Sequence, residues 1–209
     1  MSDDTITAER VLDAAERVLR RYGIGKTTVV DVARHLEVSH GTIYRHFPNK
    51  AALQDAVAAR WLARVSAPLA VIADGTGAAD ERLRQWFVQL RDAKRGKVLD
   101  DPELFATYHA LAEQARGVVE HHVEELTGQL QRIVEQGIAD GSFGELDAAR
   151  AARAAFDATL RFHHPAHSRE WNDEGIDDAF ETVLAMVITA LRTGIQPAVD
   201  GDPSRDEPR

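Results

Sequence analysis

Apolar residues recur every three to four positions along most of this chain, and that spacing predicts helices. A stripe from Val11 to Tyr22 predicts a first helix over residues 7–22, which Gly23 would end. Similar stripes predict later helices near 50–72, 79–95, 102–115, 117–139, 147–163 and 174–193. Because no segment shows strand-like alternation, the predicted fold class is all-α, with about nine helices in total.

Residues 27–53 predict two short helices joined by a tight turn. Thr27 or Thr28 can cap the first helix, because a hydroxyl there accepts an otherwise unpaired backbone N–H. Ser39 can cap the second, which runs to Phe47. The first helix also has an apolar face for a core, formed by Val29, Val32, Ala33 and Leu36. This is the layout of a helix-turn-helix, whose second helix lies in the DNA major groove.

The second predicted helix carries side chains suited to DNA. Its first turn is the part that contacts base edges in this motif, and it contains Ser39, His40, Gly41 and Thr42. Hydroxyls and cations hold phosphates, and the candidates are Thr27, Thr28, Tyr44, Arg45, His46 and Lys50. The alternative is an ordinary helical hairpin on a solvated surface. A solvated helix this short seldom combines an aromatic ring, two potential cations and a capping hydroxyl, so we favour DNA binding.

The segment closely resembles the tetracycline-repressor (TetR) family of bacterial one-component regulators over roughly residues 7–60. The resemblance is carried without a gap by Thr28, Val32, Ala33, Val38, Ser39, Gly41, Thr42, Ile43, Tyr44, His46, Phe47, Lys50 and Leu53. It implies that residues 39–42 lie nearest the bases. It also implies phosphate contacts for the positions of Thr28, Tyr44, His46 and Lys50.

One residue departs from the family pattern. Glu37 stands where the family usually has glycine in the turn. A non-glycine residue in the left-handed conformation costs about 1–2 kcal/mol. Two outcomes are therefore open: the turn is remodelled, or Glu37 extends the first helix.

The charge is divided unevenly along the chain. Residues 5–64 hold ten Lys and Arg against six Asp and Glu, a net charge of +4. The whole chain has a net charge of −9, so the remaining residues together carry −13. A basic head on an acidic body is expected when one end meets phosphate. The asymmetry is modest, so it supports the motif without establishing DNA binding alone.

Composition excludes several classes of protein and site. The chain has no cysteine, which excludes disulfides, thiolate nucleophiles and cysteine-based zinc sites. No apolar run reaches the roughly 20 residues of a membrane span, and the acidic N-terminus lacks a signal core. We therefore predict a cytoplasmic protein with no membrane partner.

The domains follow from these patterns. Residues 1–50 are predicted as the DNA-binding domain and 51–195 as a helical effector-binding and dimerisation domain. The polar, proline-bearing tail 196–209 is predicted to be disordered.

Aromatic and apolar side chains in the body can line a small-molecule cavity. The candidates are Trp61, Trp86, Phe87, Leu90, Leu104, Phe105, Tyr108, His109, Phe156, Phe162 and His163. For any one of them, plain core packing is the favoured alternative. Tyr108, His109 and His163 are the expected polar contacts, because buried polar groups need partners.

Two late segments can form a subunit interface. Residues 147–163 are rich in alanine, which permits close helix approach, and the last helix has a broad apolar stripe. Both could instead pack inside one subunit. The resemblance favours pairing of the last two long helices, and hence a homodimer on a palindromic operator.

The predicted function is a sequence-specific DNA-binding regulator, a repressor that a small apolar or amphipathic molecule releases from its operator. No cofactor, metal site or catalytic residue is predicted. The string Gly25-Lys26-Thr27 lacks the upstream glycine of a phosphate-binding loop, and Pro165 interrupts the helical spacing of His163 and His167. The alternatives are a DNA-binding protein without an effector and a histidine-dependent enzyme.

Overall fold

A computed structural model describes residues 6–23 and 26–194 of the chain. This part contains nine α-helices, two 3-10 helices and no strand, which confirms the all-α prediction. The α-helices are α1 Ala8–Tyr22, α2 Val29–His35, α3 His40–Tyr44, α4 Lys50–Ala73, α5 Ala79–Asp100, α6 Pro102–Gln114, α7 Arg116–Ala139, α8 Ala148–Ala158 and α9 Ile176–Thr193. Gly25 and the predicted disordered tail 196–209 lie outside the described residues.

Side-chain caps begin the helices of the N-terminal domain. Thr7 Oγ1 accepts the N–H of Arg10 at the start of α1, and Asn49 Oδ1 accepts the N–H of Ala52 at the start of α4. Each cap satisfies a backbone donor that has no partner within its helix. Gly23, with φ of 73°, ends α1 as the sequence predicted.

Three helix ends differ from the prediction. α3 ends at Tyr44, although Phe47 N–H still donates to the Ile43 carbonyl over 3.0 Å, so the expected run continues as a turn. α5 extends to Asp100. α8 stops at Ala158. Thr159 follows it and donates its hydroxyl to backbone carbonyls of α8, which competes with helix continuation. Two 3-10 helices then lead towards α9: Leu160–Phe162 and Pro165–Glu170.

The turn between α2 and α3 shows whether Glu37 extends α2 or lies in the turn itself. Glu37 has φ of +57°, so it does not extend α2. Its N–H donates to the Arg34 carbonyl over 3.2 Å, and Val38 N–H donates to the Ala33 carbonyl over 3.0 Å. These two bonds are those of a Schellman motif, in which the left-handed position is normally glycine. The turn therefore keeps the geometry of a glycine turn, with glutamate at the strained position.

The apolar side chains form two cores, and α4 contributes to both. One core joins α1, α2, α3, the first half of α4 and α6. The other joins the second half of α4 with α5, α7, α8 and α9. The N-terminal domain thus completes its core with α4 and α6, beyond residue 50. By length and composition α4 is apolar enough to cross a membrane, but its burial in two cores is what a core helix of a globular protein shows.

An ion cluster fastens α1 to α4. Arg60 Nε lies 2.8 Å from a carboxylate oxygen of Glu16, and Arg60 Nη1 lies 2.8 Å from Asp13. Arg64 binds the second oxygen of Glu16 at 2.9 Å. The side chain of Glu16 is largely buried, so these contacts are screened less than an exposed pair would be. They fix the position of the N-terminal domain on α4.

Candidate nucleic-acid interface and ligand cavity

α3 presents one face to its own domain and the other to solvent. Ile43 is fully buried and anchors the helix, while His40, Gly41, Tyr44 and the following Arg45 are exposed. Ser39, His46 and Lys50 are exposed as well, and Thr42 is half-buried. The backbone N–H of Thr42 donates to Ser39 Oγ over 3.3 Å, which caps the helix. The structure therefore gathers the predicted base-contact residues on one short, solvent-facing turn.

Two features of this surface are unusual for a merely solvated helix. Tyr44 is 44% exposed, and its ring lies nearly perpendicular to that of His40 at a centroid distance of 6.2 Å. A methyl group added at Gly41 would meet only Ser39 Oγ, at 3.7 Å, which is an ordinary contact. The fold does not require glycine at that position, so its small size is available to a partner that approaches the backbone.

The two threonines before α2 have different roles. Thr28 is exposed and caps α2 reciprocally: Asp31 N–H donates to the Thr28 hydroxyl oxygen, and Thr28 N–H donates to Asp31. The Thr28 hydroxyl also donates to the Asp31 carboxylate over 2.6 Å, and this bond together with that from the Thr28 N–H holds the pKa of Asp31 below its usual value. Thr27 is buried, and its hydroxyl donates to the Gly23 carbonyl over 2.8 Å. Of the two, only Thr28 offers a surface for phosphate.

A cavity of about 700 Å³ opens between α4, α5, α6, α7 and the end of α8. Of the predicted ligand-binding residues it is lined by Trp61, His109, Phe156 and His163. Leu104, Phe105 and Tyr108 instead line a neighbouring cleft of about 520 Å³ that faces α1. Trp86, Phe87, Leu90 and Phe162 lie buried in the second core and line neither space. The predicted set is thus divided between cavity, cleft and core.

Trp61 forms part of the wall of both spaces. Its ring stacks on Tyr108 at a centroid distance of 5.0 Å and an interplanar angle of 1°. Burial raises the pKa of Tyr108 to about 12, so its phenol is neutral at physiological pH. The cavity and the cleft at α1 therefore share Trp61 of α4 as a wall, and Tyr108 of α6 stacks on that wall.

The buried end of the cavity is polar and lacks acidic groups. Lys94, His122 and His163 line it, and each is 5–6% exposed. Burial lowers the pKa of each histidine to about 3 and, together with Lys97, that of Lys94 to about 8. His163 Nε2 lies 3.2 Å from Thr159 Oγ1. At pH 7 the two imidazoles are neutral, and Lys94 is the cation of this end.

Sequence reasoning did not include Lys94 or His122 among the cavity residues. A signal for Lys94 existed, because it lies four residues after Leu90 and continues the apolar stripe of α5. A lysine within an apolar stripe indicates a buried cation or one directed into a cavity. His122 similarly lies one helical turn before Leu126 on the apolar face of α7.

Comparison with known proteins decides the family. Residues 11–57 match the family profile described as "Bacterial regulatory proteins, tetR family", and residues 79–184, half of the chain, match "Tetracyclin repressor-like, C-terminal domain". The chain belongs to the TetR family. TetR-family regulators bind operator DNA and small-molecule effectors, typically as dimers.

The similarity to curated relatives covers the DNA-binding region. Over 51 residues the chain is 41% identical to the HTH-type transcriptional regulator TtgR of Pseudomonas putida. That match spans 24% of each protein. The resemblance to this TetR-family member therefore concerns the DNA-binding helices α1–α3, which we call the reading head, and not the cavity.

Solved structures share the whole TetR architecture at low identity. A transcriptional regulator from Pseudomonas aeruginosa PAO1 superimposes with a TM-score of 0.64 at 20% identity, covering 90% of both chains. RolR, solved in complex with resorcinol, gives 0.58 at 17% identity and covers 88% of this chain and 86% of its own. At these identities the likeness shows the shared fold.

The predicted TetR-type interface helices carry an apolar groove. A space of about 390 Å³ between α8 and α9 is lined by alanines of α8 together with Val183, Met186 and Val187. Met186 is 67% exposed. Most of the apolar stripe predicted on α9 packs inside the subunit, at Ile176, Phe180, Leu184, Ile188 and Leu191. The apolar surface that α9 leaves outside the subunit core is thus narrower than the apolar stripe that the sequence predicted.

The described residues include no group of three His, Cys, Asp or Glu side chains placed to hold a metal ion. His121 is exposed beside Glu124, while its neighbour His122 is buried, so the two point apart. His163 packs on Phe156, whereas His167 Nδ1 lies 2.9 Å from a Glu170 oxygen.

Proposed function

We propose that this TetR-family protein is a cytoplasmic, homodimeric regulator that reads a palindromic operator and is released from it by a small molecule. The observation that carries the proposal is the exposed face of α3, which the buried Ile43 anchors at the end of a domain matching the family's DNA-binding profile. In a helix-turn-helix this second helix enters the major groove.

The DNA contacts divide into two groups. Ser39, His40, Gly41 and Thr42 occupy the first turn of α3 and would lie nearest the bases. Thr28, Tyr44, Arg45, His46 and Lys50 surround that turn at exposed positions and would hold phosphates. Thr27 is left out of the contact surface because it is buried.

The effector would occupy the 700 Å³ cavity. Its size lies within the usual range of roughly 300–1,000 Å³ for small-molecule sites. Its walls combine apolar side chains with charged and titratable ones. RolR, which shares the fold, was solved with resorcinol, a small aromatic molecule. The cavity therefore favours a switchable regulator over a DNA-binding protein without an effector.

The signal would travel through α4. This helix supplies Trp61 to the cavity wall, Arg60 and Arg64 to the ion cluster with α1, and Lys50 to the DNA surface. A ligand that displaces α4 would therefore move the reading head. Operator affinity would fall only by the ligand's differential affinity for the two conformations of the dimer.

The homodimer would pair the α8–α9 groove of one subunit with that of its partner. A two-fold dimer places two reading helices about 34–36 Å apart, one turn of DNA. Met186→Asp puts a charge into this apolar groove and should yield monomers in light scattering. Val71→Asp is the control, because Val71 is 74% exposed on α4 and should remain dimeric when charged. A dimeric Met186→Asp protein would place the interface elsewhere.

DNA reading is tested by selecting bound duplexes from a random library with wild type and Tyr44→Ala. We expect a palindromic consensus from wild type and its loss from the variant. No enrichment from wild type at low salt would contradict DNA reading by α3.

Phosphate contact is tested separately on the selected operator. Lys50→Ala should reduce the salt dependence of binding by about one phosphate contact, which is a slope change of roughly 0.9 per site. Arg132→Ala removes a cation from α7 and serves as the matched control, with an unchanged slope expected. Equal slopes for Lys50→Ala and wild type would remove Lys50 from the interface.

A further inference from the structure

The buried end of the cavity contains an ammonium group without an acidic partner. Lys94 is 6% exposed and lines the cavity. Among the described residues no hydrogen bond or ion pair joins it to another group, and its favourable contact is the ring of Trp61, 5.7 Å from Nζ. Lysine is almost never buried unless it is paired. Lys94 thus has no anionic partner among the described residues, as expected of a side chain that binds an anionic ligand.

His122 is the second unpaired group at this end. It is 6% exposed, lines the same cavity, and neither ring nitrogen has a hydrogen-bond partner. A neutral imidazole has one N–H donor and one acceptor. Buried polar atoms without hydrogen-bond partners destabilise the fold. A ligand that accepts a hydrogen bond from the His122 N–H would therefore stabilise the protein.

The acidic residues of the cavity lie at its mouth and do not neutralise the buried end. Glu113, Glu120 and Asp157 line the cavity at exposed positions. Asp157 is already paired with Arg153 over 2.9 Å, and Glu113 lies 3.9 Å from His109. The charge distribution is thus mixed at the mouth and positive at the buried end, which selects the orientation of an entering anion.

We propose that the effector is an apolar organic carboxylate, with its carboxylate bound by Lys94 and His122 and its apolar body against Trp61 and Phe156. The inference rests on the effector site proposed above and names the chemical class that the site takes. A carboxylate provides two oxygens, so one can accept from the Lys94 ammonium and the other from the His122 N–H. A neutral ligand of the same shape would leave the ammonium without its counter-ion.

The test compares aromatic acids with their amides on the full-length protein. Benzoate, 2-naphthoate and biphenyl-4-carboxylate, each with its carboxamide, are titrated by calorimetry at pH 7. We expect at least one acid to bind about tenfold or more tightly than its amide, as a charge-assisted contact predicts. Lys94→Met should abolish that preference, and His122→Phe should weaken it several-fold.

Lys97→Met is the matched control. Lys97 Nζ lies 5.8 Å from the same Trp61 ring, but Lys97 lines the cleft at α1 and not the cavity. Its replacement should leave the preference for the acid intact. Loss of the preference in both variants would mean that overall positive charge, and not Lys94, attracts the acid, and the assignment would be wrong.

The remaining outcomes separate this inference from the proposed effector site. Equal binding of acids and amides, or a preference that survives Lys94→Met, would overturn the carboxylate assignment and leave the cavity as the effector site. If neither acids nor amides bind at millimolar concentration, both the carboxylate assignment and the effector site fall. The DNA-reading surface is tested independently of either result.

Discussion

Replacing Lys94 with methionine should stabilise the protein when no ligand is bound. Burial lowers the pKa of the Lys94 ammonium from 10.5 to about 8. Since one pKa unit corresponds to about 1.4 kcal/mol, the charged side chain destabilises the fold by about 3 kcal/mol at pH 7. Attraction to the Trp61 ring offsets about 1 kcal/mol of this. Methionine, which fills similar space without charge, should therefore raise the unfolding free energy by about 2 kcal/mol.

The pH dependence of this effect has a definite sign. The folded-state pKa of Lys94 lies below the unfolded value of 10.5, so the unfolded chain holds more protons between about pH 8 and 10.5. Wild-type stability therefore gains from this group as pH rises through that window. The advantage of Lys94→Met should be full at pH 7 and less than half as large at pH 10.

The assay is urea unfolding followed by tryptophan fluorescence, at pH 7 and pH 10 and at one protomer concentration, since a dimer's stability depends on concentration. Lys97→Met is the control: Lys97 is only half-buried, so its replacement should change stability much less. A Lys94→Met protein that is less stable than wild type at pH 7, or an advantage independent of pH, would refute the account of Lys94 as a buried unpaired cation.

Three further substitutions test other parts of the structure. Gly41→Ala should leave the unfolding free energy unchanged or raise it by up to about 1 kcal/mol, yet weaken operator binding; a folding defect in thermal melts would contradict this. Glu37→Gly should stabilise the turn by about 0.5–1 kcal/mol in urea unfolding, whereas Glu37→Ala, equally strained, should gain nothing. Gln129→Met removes the buried acceptor of the Trp86 indole N–H (2.9 Å) and the donor to the Ser66 carbonyl (3.1 Å), and should cost about 3 kcal/mol. The same change at the partly exposed Gln131 should cost less than about 0.5 kcal/mol, and equal losses would rule out the buried network.

The acidity of the solution should affect stability through His122 and His163. Both are buried and neutral, with pKa values lowered to about 3 from 6.5. Above pH 6.5 both histidines are neutral in the folded and the unfolded chain, so they do not reduce the unfolding free energy. Below pH 6.5 the unfolding free energy falls, because only the unfolded chain takes up these protons. Between pH 7.5 and 5.5 each should account for about 1.4 kcal/mol of lost stability. A His122→Phe variant should show a shallower decline in the same unfolding assay, and a parallel decline would contradict its burial as a neutral group.

Local patterns in the sequence were enough to identify the helices and the reading head. Helical periodicity depends on residues three and four apart, and caps such as Thr28 and Ser39 act within one turn. Both features can therefore be recognised from the sequence alone. The unbroken spacing from Thr28 to Leu53 was enough to indicate the TetR family, as the family profiles confirm. Helix ends were less accurate where a side chain such as Thr159 competes for backbone carbonyls.

What only the tertiary structure decided was which side of each helix meets another helix and which meets a space. Trp86 and Trp61 are equally apolar in sequence, yet one is sealed in a core and the other forms the wall between a cavity and a cleft. Lys94 and Lys97 are one turn apart on α5, but only Lys94 is directed into the cavity without a counter-ion. These differences arise from contacts between elements far apart in the chain. Sequence periodicity specifies the face on which a side chain lies, while burial and charge pairing depend on what the fold places opposite it.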